Sequence, residues 1–372
     1  MTDRQEPVTS KDGGSPKPES PKTRSPGKQG SSPAASADPA AGILPGESQI
    51  EADDQEQVID DGDSAVGTVQ TASTSLASSI LQYRTLHGRT FHSDQGNANY
   101  WMSNDETANE ALDIAHHVLT MMLDGKLHLA PLDKNTIQNA VDIGTGTGIW
   151  AMDFADEYPN TKVVGTDISP IQPSWVPPNL QFQIDDCTQS WTFEEGSLDY
   201  VHLRWLVGSV ADWTALMKDA YRSIKPGGYV ESHEGSPNIT SDDGTVSDTS
   251  ATAQWGKLFS SGGEKIGRPF TLIENGIISR AMEEAGFVDI VVKNYKCPIG
   301  GWAKDPKFAE MGEYMRLAFE QDAEGAVLFV ADLQGWSREE IAVYNARLRS
   351  ELRDKSKHAY FPSQVVYARK PE

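Results

Sequence analysis

Cysteine is nearly missing from this 372-residue chain, which has two, Cys187 and Cys297. They form no Cys-x-x-Cys pair, and no His-Glu-x-x-His run occurs. Neither a zinc-ligand spacing nor a disulfide framework is present, so no metal is expected. Positive charge is also scarce: 32 Lys and Arg stand against 54 Asp and Glu, a net charge of −22. Binding to nucleic acid or anionic membranes depends on clustered cations, which argues against both as direct partners. No apolar run approaches the roughly 20 residues of a membrane-spanning helix. The N-terminus, Met1-Thr-Asp-Arg-Gln-Glu6, lacks the apolar core of a secretory signal. The expectation is a soluble protein of a reducing compartment, cytoplasmic or nuclear, neither secreted nor inserted in a membrane.

Large aliphatic and aromatic residues are sparse over residues 1–75, where Ser, Pro, Ala and acids dominate. Such a stretch buries too little surface to offset its ordering entropy, and a disordered tail is expected. Its first half mixes Lys and Arg with Ser-Pro steps at Ser15, Ser20, Ser25 and Ser32; from Asp38 to Asp63 it is acidic without Lys or Arg. A solvated tail and a phosphorylatable or partner-binding arm are both open readings. Folding is expected to begin near Ser79, giving one domain over 79–372.

What the chain does have is a glycine turn, Val141-Asp-Ile-Gly-Thr-Gly-Thr-Gly148, after a short apolar stretch and before the helical run Ile149-Trp-Ala-Met-Asp-Phe-Ala155. A strand that ends in glycines and feeds a helix is the nucleotide-binding corner of an open α/β sheet. Glycine lets the backbone turn sharply and lie against a ligand with no Cβ between them. The dinucleotide fingerprint needs glycine at its sixth position, where Ile149 stands, and a phosphate loop needs a closing Gly-Lys-Ser/Thr that is lacking. Two further acids end the next apolar strands. Asp167 follows Lys162-Val-Val-Gly-Thr166, about 20 residues beyond the turn, as a ribose-binding acid would. Asp185 and Asp186 follow Leu180-Gln-Phe-Gln-Ile184. An Asp after a strand is ordinarily a turn former, and Asp185 alone reads so; for Asp142 and Asp167 the joint pattern favours ligand contact.

The set Asp142-x-Gly144-x-Gly146-x-Gly148 resembles the first motif of class I S-adenosylmethionine-dependent methyltransferases. Longer stretches look like the fungal LaeA-like members: Gly146-Thr-Gly-Ile-Trp-Ala151, Gly165-Thr-Asp-Ile-Ser-Pro-Ile-Gln-Pro-Ser-Trp-Val-Pro-Pro178, Ile184-Asp-Asp-Cys187, Ser241-Asp-Asp-Gly-Thr245, Pro298-Ile-Gly-Gly-Trp302 and Gly335-Trp-Ser-Arg-Glu-Glu340. The likeness runs over 83–371. It implies S-adenosylmethionine as cofactor, with Asp142 toward the methionine amine directly or through water, Asp167 on the ribose hydroxyls and Asp186 on the adenine amino group. Gly144, Gly146, Gly148, Ile168 and Cys187 would complete that site. It implies an enzyme of secondary metabolism with an unidentified methyl acceptor, small molecule or protein; the alternative is a regulatory subunit working with velvet-type proteins. A nicotinamide-dependent oxidoreductase is a distant third reading. The upstream family motif stands as Tyr83-Arg84 and Arg89-Thr-Phe-His92, with Phe91 in place of the usual tyrosine. Ser103 stands where proline is common, and Ala115 where glutamine often precedes the two histidines.

The fold implied is α/β: a doubly wound seven-stranded class I methyltransferase sheet with an N-terminal helical lid and a helical insertion before the last strand. Ser103-x-x-Glu106 reads as a capping box opening a helix that Asp124-Gly125 stops. Within it His116 and His117 are neighbours on different faces, one packed and one exposed, and form no metal face. Trp150 reads as core. A strand over 198–203, a helix over 211–224 and a strand over 229–233 follow, with Lys225-Pro-Gly-Gly228 as a break. Later come a helix over 270–285, a strand over 287–295, two helices (the second capped by Ser337-x-x-Glu340) and a strand over 364–369. His233 is the candidate catalytic base, since histidine titrates near neutrality, against a sheet-edge histidine without a role. Arg204 and Trp205, at the carboxyl edge of the sheet, either orient an acceptor or pack. Tyr83, Arg84, Arg89 and His92, in a stretch that reads as loop, either form a lid that helps select the acceptor or tie the loop to the core.

Deleting residues 1–75 is expected to leave the melting temperature and cofactor affinity unchanged. A large fall in melting temperature would show that the tail docks on the domain.

Overall fold

The computed structural model describes residues 83–93 and 100–372. The expected tail over 1–75 and the start of folding at Ser79 lie outside the described residues.

Seven strands make the main sheet: β3 (Asn139–Ile143), β4 (Lys162–Asp167), β5 (Leu180–Ile184), β6 (Leu198–Arg204), β7 (Ile224–Gly235), β8 (Val288–Pro298) and β9 (Tyr360–Arg369). Their order is β5-β4-β3-β6-β7-β9-β8. The first five are parallel, and β9 runs antiparallel to both β7 and β8. This is the doubly wound class I methyltransferase sheet. The chain order reverses on either side of β3, so the crevice at that switch point lies just beyond the glycine turn.

Strand β3 is central because its side chains suit both faces. Val141 and Ile143 enter one apolar core, and Ala140, on the opposite face of the pleat, enters the other. The second core is filled by the helix Ile149–Glu157, whose Trp150 and Phe154 are fully buried. Trp150 lies flat on the His202 ring at 3.6 Å and donates its indole N–H to the Leu127 carbonyl, so it is a core residue as expected.

In chain order the helices are α1 (Glu106–Met122), α2 (Ile149–Glu157), α3 (Trp213–Ser223), α4 (Ala251–Ile266), α5 (Ile277–Ala285), α6 (Pro306–Asp332) and α7 (Arg338–Arg353). Helices α6 and α7 form the expected insertion before the last strand, and α6 packs on α1. Among the described residues no helix is long and apolar enough to cross a membrane. His116 is buried and His117 exposed.

Several local expectations are corrected. The stretch read as loop is a hairpin, β1 (Arg84–Leu86) with β2 (Arg89–Phe91), turned by His87 and Gly88 at φ of 51° and 87°. Two successive positive φ values match the right-handed twist of the strands. The cap of α1 is Asp105, whose carboxylate accepts from the Ala108 N–H, because Ser103 is taken up with Arg89 and Asp322. Strand β7 runs through Lys225-Pro-Gly-Gly228 instead of starting after it. The helix expected over 270–285 starts only at Ile277, because Phe270 and Leu272 are buried in the core and Gly276 turns the chain at φ 57°. Helix α4 went unread in the sequence: Gly256, Gly262 and Gly263 weaken its helical signal, yet a Cβ at any of them would crowd Asn238, Val330 or Arg268.

Gly148 caps α2 at φ 81°, and a Cβ there would enter the Phe182 ring. Gly148→Ala should cost more than about 1 kcal/mol in urea unfolding. Gly196→Ala, also at positive φ but facing open space, should cost less. Equal losses would show that Phe182 moves aside freely.

Candidate functional site

A cavity opens at the switch point, and the glycine turn forms its floor. Asp142, Gly144, Gly146, Asp167, Ile168, Asp186, Cys187, Arg204 and Trp205 all line it. Asp167 ends β4, and its two oxygens accept the N–H groups of Gly146 (2.8 Å) and Ser169 (2.9 Å). Burial pushes its carboxyl up to about 6. Gln172 closes the same loop by donating to the carbonyls of Gly146 (2.7 Å) and Ser169 (3.0 Å). Asp142 is buried and accepts from Thr145 Oγ1 at 2.6 Å and from His202 Nδ1 at 2.7 Å. Burial lowers His202 to about 4, so its neutral ring carries the proton on Nδ1. Asp186 turns the chain after β5, accepting from the Thr188 N–H and hydroxyl at 2.9 and 2.7 Å. Burial, reinforced by the Asp186 charge, pushes the Cys187 thiol up to about 12, which keeps it protonated.

The other candidates sit elsewhere. Gly148 shapes the helix start behind the cavity without lining it. His233 is buried in the β7–β9 ladder with Nε2 2.9 Å from Ser363 Oγ, and burial lowers it to about 3. It does not line the cavity, which removes the geometric basis for a base. Tyr83, Arg84, Arg89 and His92 are likewise absent from the wall. Arg84 Nε donates to the His92 carbonyl at 3.1 Å, and His92 Nε2 accepts the Tyr100 N–H at 2.9 Å. Arg89 pairs with Asp105 and Asp322. Arg89 thus ties the hairpin to the body, and among the described residues of this segment only Tyr100 lines the cavity. Arg204 reaches the wall while donating to His116 Nδ1 at 3.0 Å; His116 Nε2 faces Asp153 at 3.0 Å.

The sequence reading passed over Asn104, Asn109 and Ser209. All three line the cavity, and Asn104 Oδ1, Asn109 Oδ1 and Ser209 Oγ are buried without a partner. Buried polar atoms are ordinarily paired, so unpaired ones on residues that line a cavity suit a polar ligand. No periodicity marks them. Among the described residues no group of His, Cys, Asp and Glu is placed to hold a metal ion.

A second cavity adjoins the first, sharing Leu112, Ala115 and Trp205. Its walls are aromatic, with Trp101, Trp255, Phe259, Phe270, Phe319 and Phe361. Trp205 stands between the two at φ 56°, an unusual conformation for a bulky residue. The loop behind it is held by Glu234, a buried carboxyl that accepts the N–H groups of Leu206 (3.2 Å) and Val207 (3.0 Å).

A methyltransferase-domain family model matches residues 114–292. The chain is 38% identical over 301 residues to the methyltransferase pytC of Aspergillus terreus, covering 80% of this chain and 91% of that protein. It is 33% identical over 266 residues to the probable methyltransferase tdiE of Emericella nidulans, covering 70% and 81%. It is 32% identical over 289 residues to the secondary metabolism regulator laeA of Aspergillus fumigatus, covering 77% and 76%.

Burial pushes Glu234 from an ordinary 4.5 up to about 8 and Glu231, bound by the Leu129 and Ala130 N–H groups, up to about 7. The folded state thus holds protons that the unfolded chain releases near pH 4.5. The stability this brings is complete below that pH and is lost as pH rises through about 8. Melting temperature should therefore fall across this window, and fall less steeply in Glu234→Gln, which stays neutral. Parallel pH profiles for the two proteins would contradict the assignment.

Proposed function

Because this chain belongs to the fungal LaeA-like methyltransferase family, we propose that it transfers a methyl group from S-adenosylmethionine to an acceptor in secondary metabolism. The observation that carries this reading is an acid-walled cavity on the glycine turn, continuous with an aromatic one. Asp142, Asp167, Asp185 and Asp186 line the first cavity, and among the described residues Arg204 is its one Lys or Arg. Such a wall repels a pyrophosphate, which disfavours a dinucleotide, and suits a cofactor with a cationic end and no phosphate.

The residues present fit that cofactor. Gly144 keeps the turn free of a Cβ that would strike Leu206, and the unpaired oxygens of Asn104, Asn109 and Ser209 offer acceptors. Asp167 would take the ribose hydroxyls through its remaining lone pairs, and Asp186 the adenine side. Arg204 would meet the methionine carboxylate. Asp142, already engaged by Thr145 and His202, would reach the amine along the same wall or through water. When bound, the sulfonium supplies an electrophilic methyl group. The chain's own part is to hold the reacting centres in line and exclude water, which is where most of the acceleration of such a displacement arises. The likeness to laeA supports a second reading, in which the same fold serves a regulatory complex with velvet-type partners.

Asp167→Ala removes the acceptor of two charge-assisted hydrogen bonds, each worth about 1.5–3 kcal/mol. Calorimetry should show S-adenosylmethionine bound at least tenfold more weakly with the circular dichroism spectrum unchanged. In the unmodified protein, affinity should decline as pH falls through about 6, where Asp167 takes up a proton. Unchanged affinity in the variant, or tighter binding of NAD, would refute the assignment.

A further inference from the structure

We infer that the aromatic cavity is the acceptor site, and that it takes an uncharged, ring-bearing small molecule with an oxygen that accepts a hydrogen bond from the Trp205 indole. This rests on the cofactor reading of the adjoining cavity, since Trp205, Leu112 and Ala115 form the wall common to both.

Charge decides the class of ligand. Among the described residues Asp322 is the one ionisable residue of this cavity's lining. Its carboxylate is buried, paired with Arg89 at 2.7 Å and bonded to the Gly325 N–H at 3.0 Å. A phosphate or an ammonium group entering here would shed its hydration and find no counter-charge. Shape favours rings. Trp101 meets Phe259 and Phe270 edge-on at 5.0 and 5.6 Å, and Trp255 meets Phe319 at 5.1 Å, leaving aromatic surfaces for a planar guest.

Trp205 supplies the polar contact. Its Nε1 is buried with no partner, as is that of Trp213, which lines neither cavity, whereas Trp101, Trp150, Trp191 and Trp302 each donate to a backbone carbonyl. An unpaired buried donor is costly. Its positive φ adds backbone strain, and both burdens fall on the residue at the junction of the cavities. An oxygen on the guest would satisfy that donor. In the transfer itself, a lone pair of the nucleophile forms the bond to the methyl carbon as the carbon–sulfur pair returns to sulfur. Where the nucleophile is a hydroxyl, its proton passes to solvent, because among the described residues no His, Lys or Cys lines this cavity.

The test uses the full-length chain saturated with S-adenosylhomocysteine and measures binding of 2-naphthol, naphthalene, phosphoethanolamine and Nα-acetyl-lysine amide. The two naphthyl probes should bind and the two charged ones should not. Trp205→Phe keeps a ring but loses the N–H; it should weaken 2-naphthol about tenfold and leave naphthalene unchanged. Phe319→Arg, at a half-buried position of α6, should abolish binding of both while S-adenosylhomocysteine still binds, which also certifies the fold. Tighter binding of either charged probe, or no naphthyl binding, overturns the acceptor class. Equal loss of both naphthyl probes, or of neither, in Trp205→Phe overturns the hydrogen bond. Failure of S-adenosylhomocysteine to bind the unmodified chain defeats the cofactor reading instead, a separate outcome.

Discussion

One carboxylate, that of Asp167, fixes the distance between the glycine turn and the loop after β4. Its two oxygens each accept a backbone N–H, from Gly146 on one loop and Ser169 on the other. The Thr145 N–H donates across to the Thr166 carbonyl at 2.8 Å, and Gln172 bridges both loops from outside. The turn is thereby held open with Gly144 and Gly146 facing the crevice before any ligand arrives. Asp142 at the end of β3 and Asp185 after β5 take their positions from the same parallel register of β3, β4 and β5. The acidity of the pocket is therefore a product of strand pairing. Such preorganisation means that binding need not bring the loops together.

A second ionic junction ties the cover to this base. Arg89 of the hairpin binds Asp105, which caps α1, and Asp322, where α6 leaves helical geometry at φ −139°. Hairpin, α1 and α6 are thus joined at one guanidinium. Because α1 walls the first cavity and α6 the second, the two compartments share a support as well as a boundary.

The parts legible in the sequence were those with local causes. The glycine turn, the acids closing β4 and β5, the strand sequence and the insertion before β9 each leave a mark within a few residues. What escaped was made by distant packing. The aromatic cavity draws Trp101, Trp205, Trp255, Phe270 and Phe361 from across the chain, and its residues carry no shared period. Helix α4 was hidden by glycines that serve close approach to other elements. Ser103 looked like a cap in isolation, but in the fold Asp105 takes that role while Ser103 bonds to Arg89 and Asp322. His233 looked suited to catalysis by residue type and position, and β9 covers it.

Strand β9 slots between β7 and β8, pairing with both, although it is made after them. Until Tyr360–Arg369 leaves the ribosome, a nascent chain carries two strands with open hydrogen-bonding edges and no neighbour to fill the gap. Exposed edges of this kind pair promiscuously with other chains. Translation that stops short of this strand would therefore leave the glycine turn and its acids intact in sequence, yet yield a chaperone client prone to aggregate.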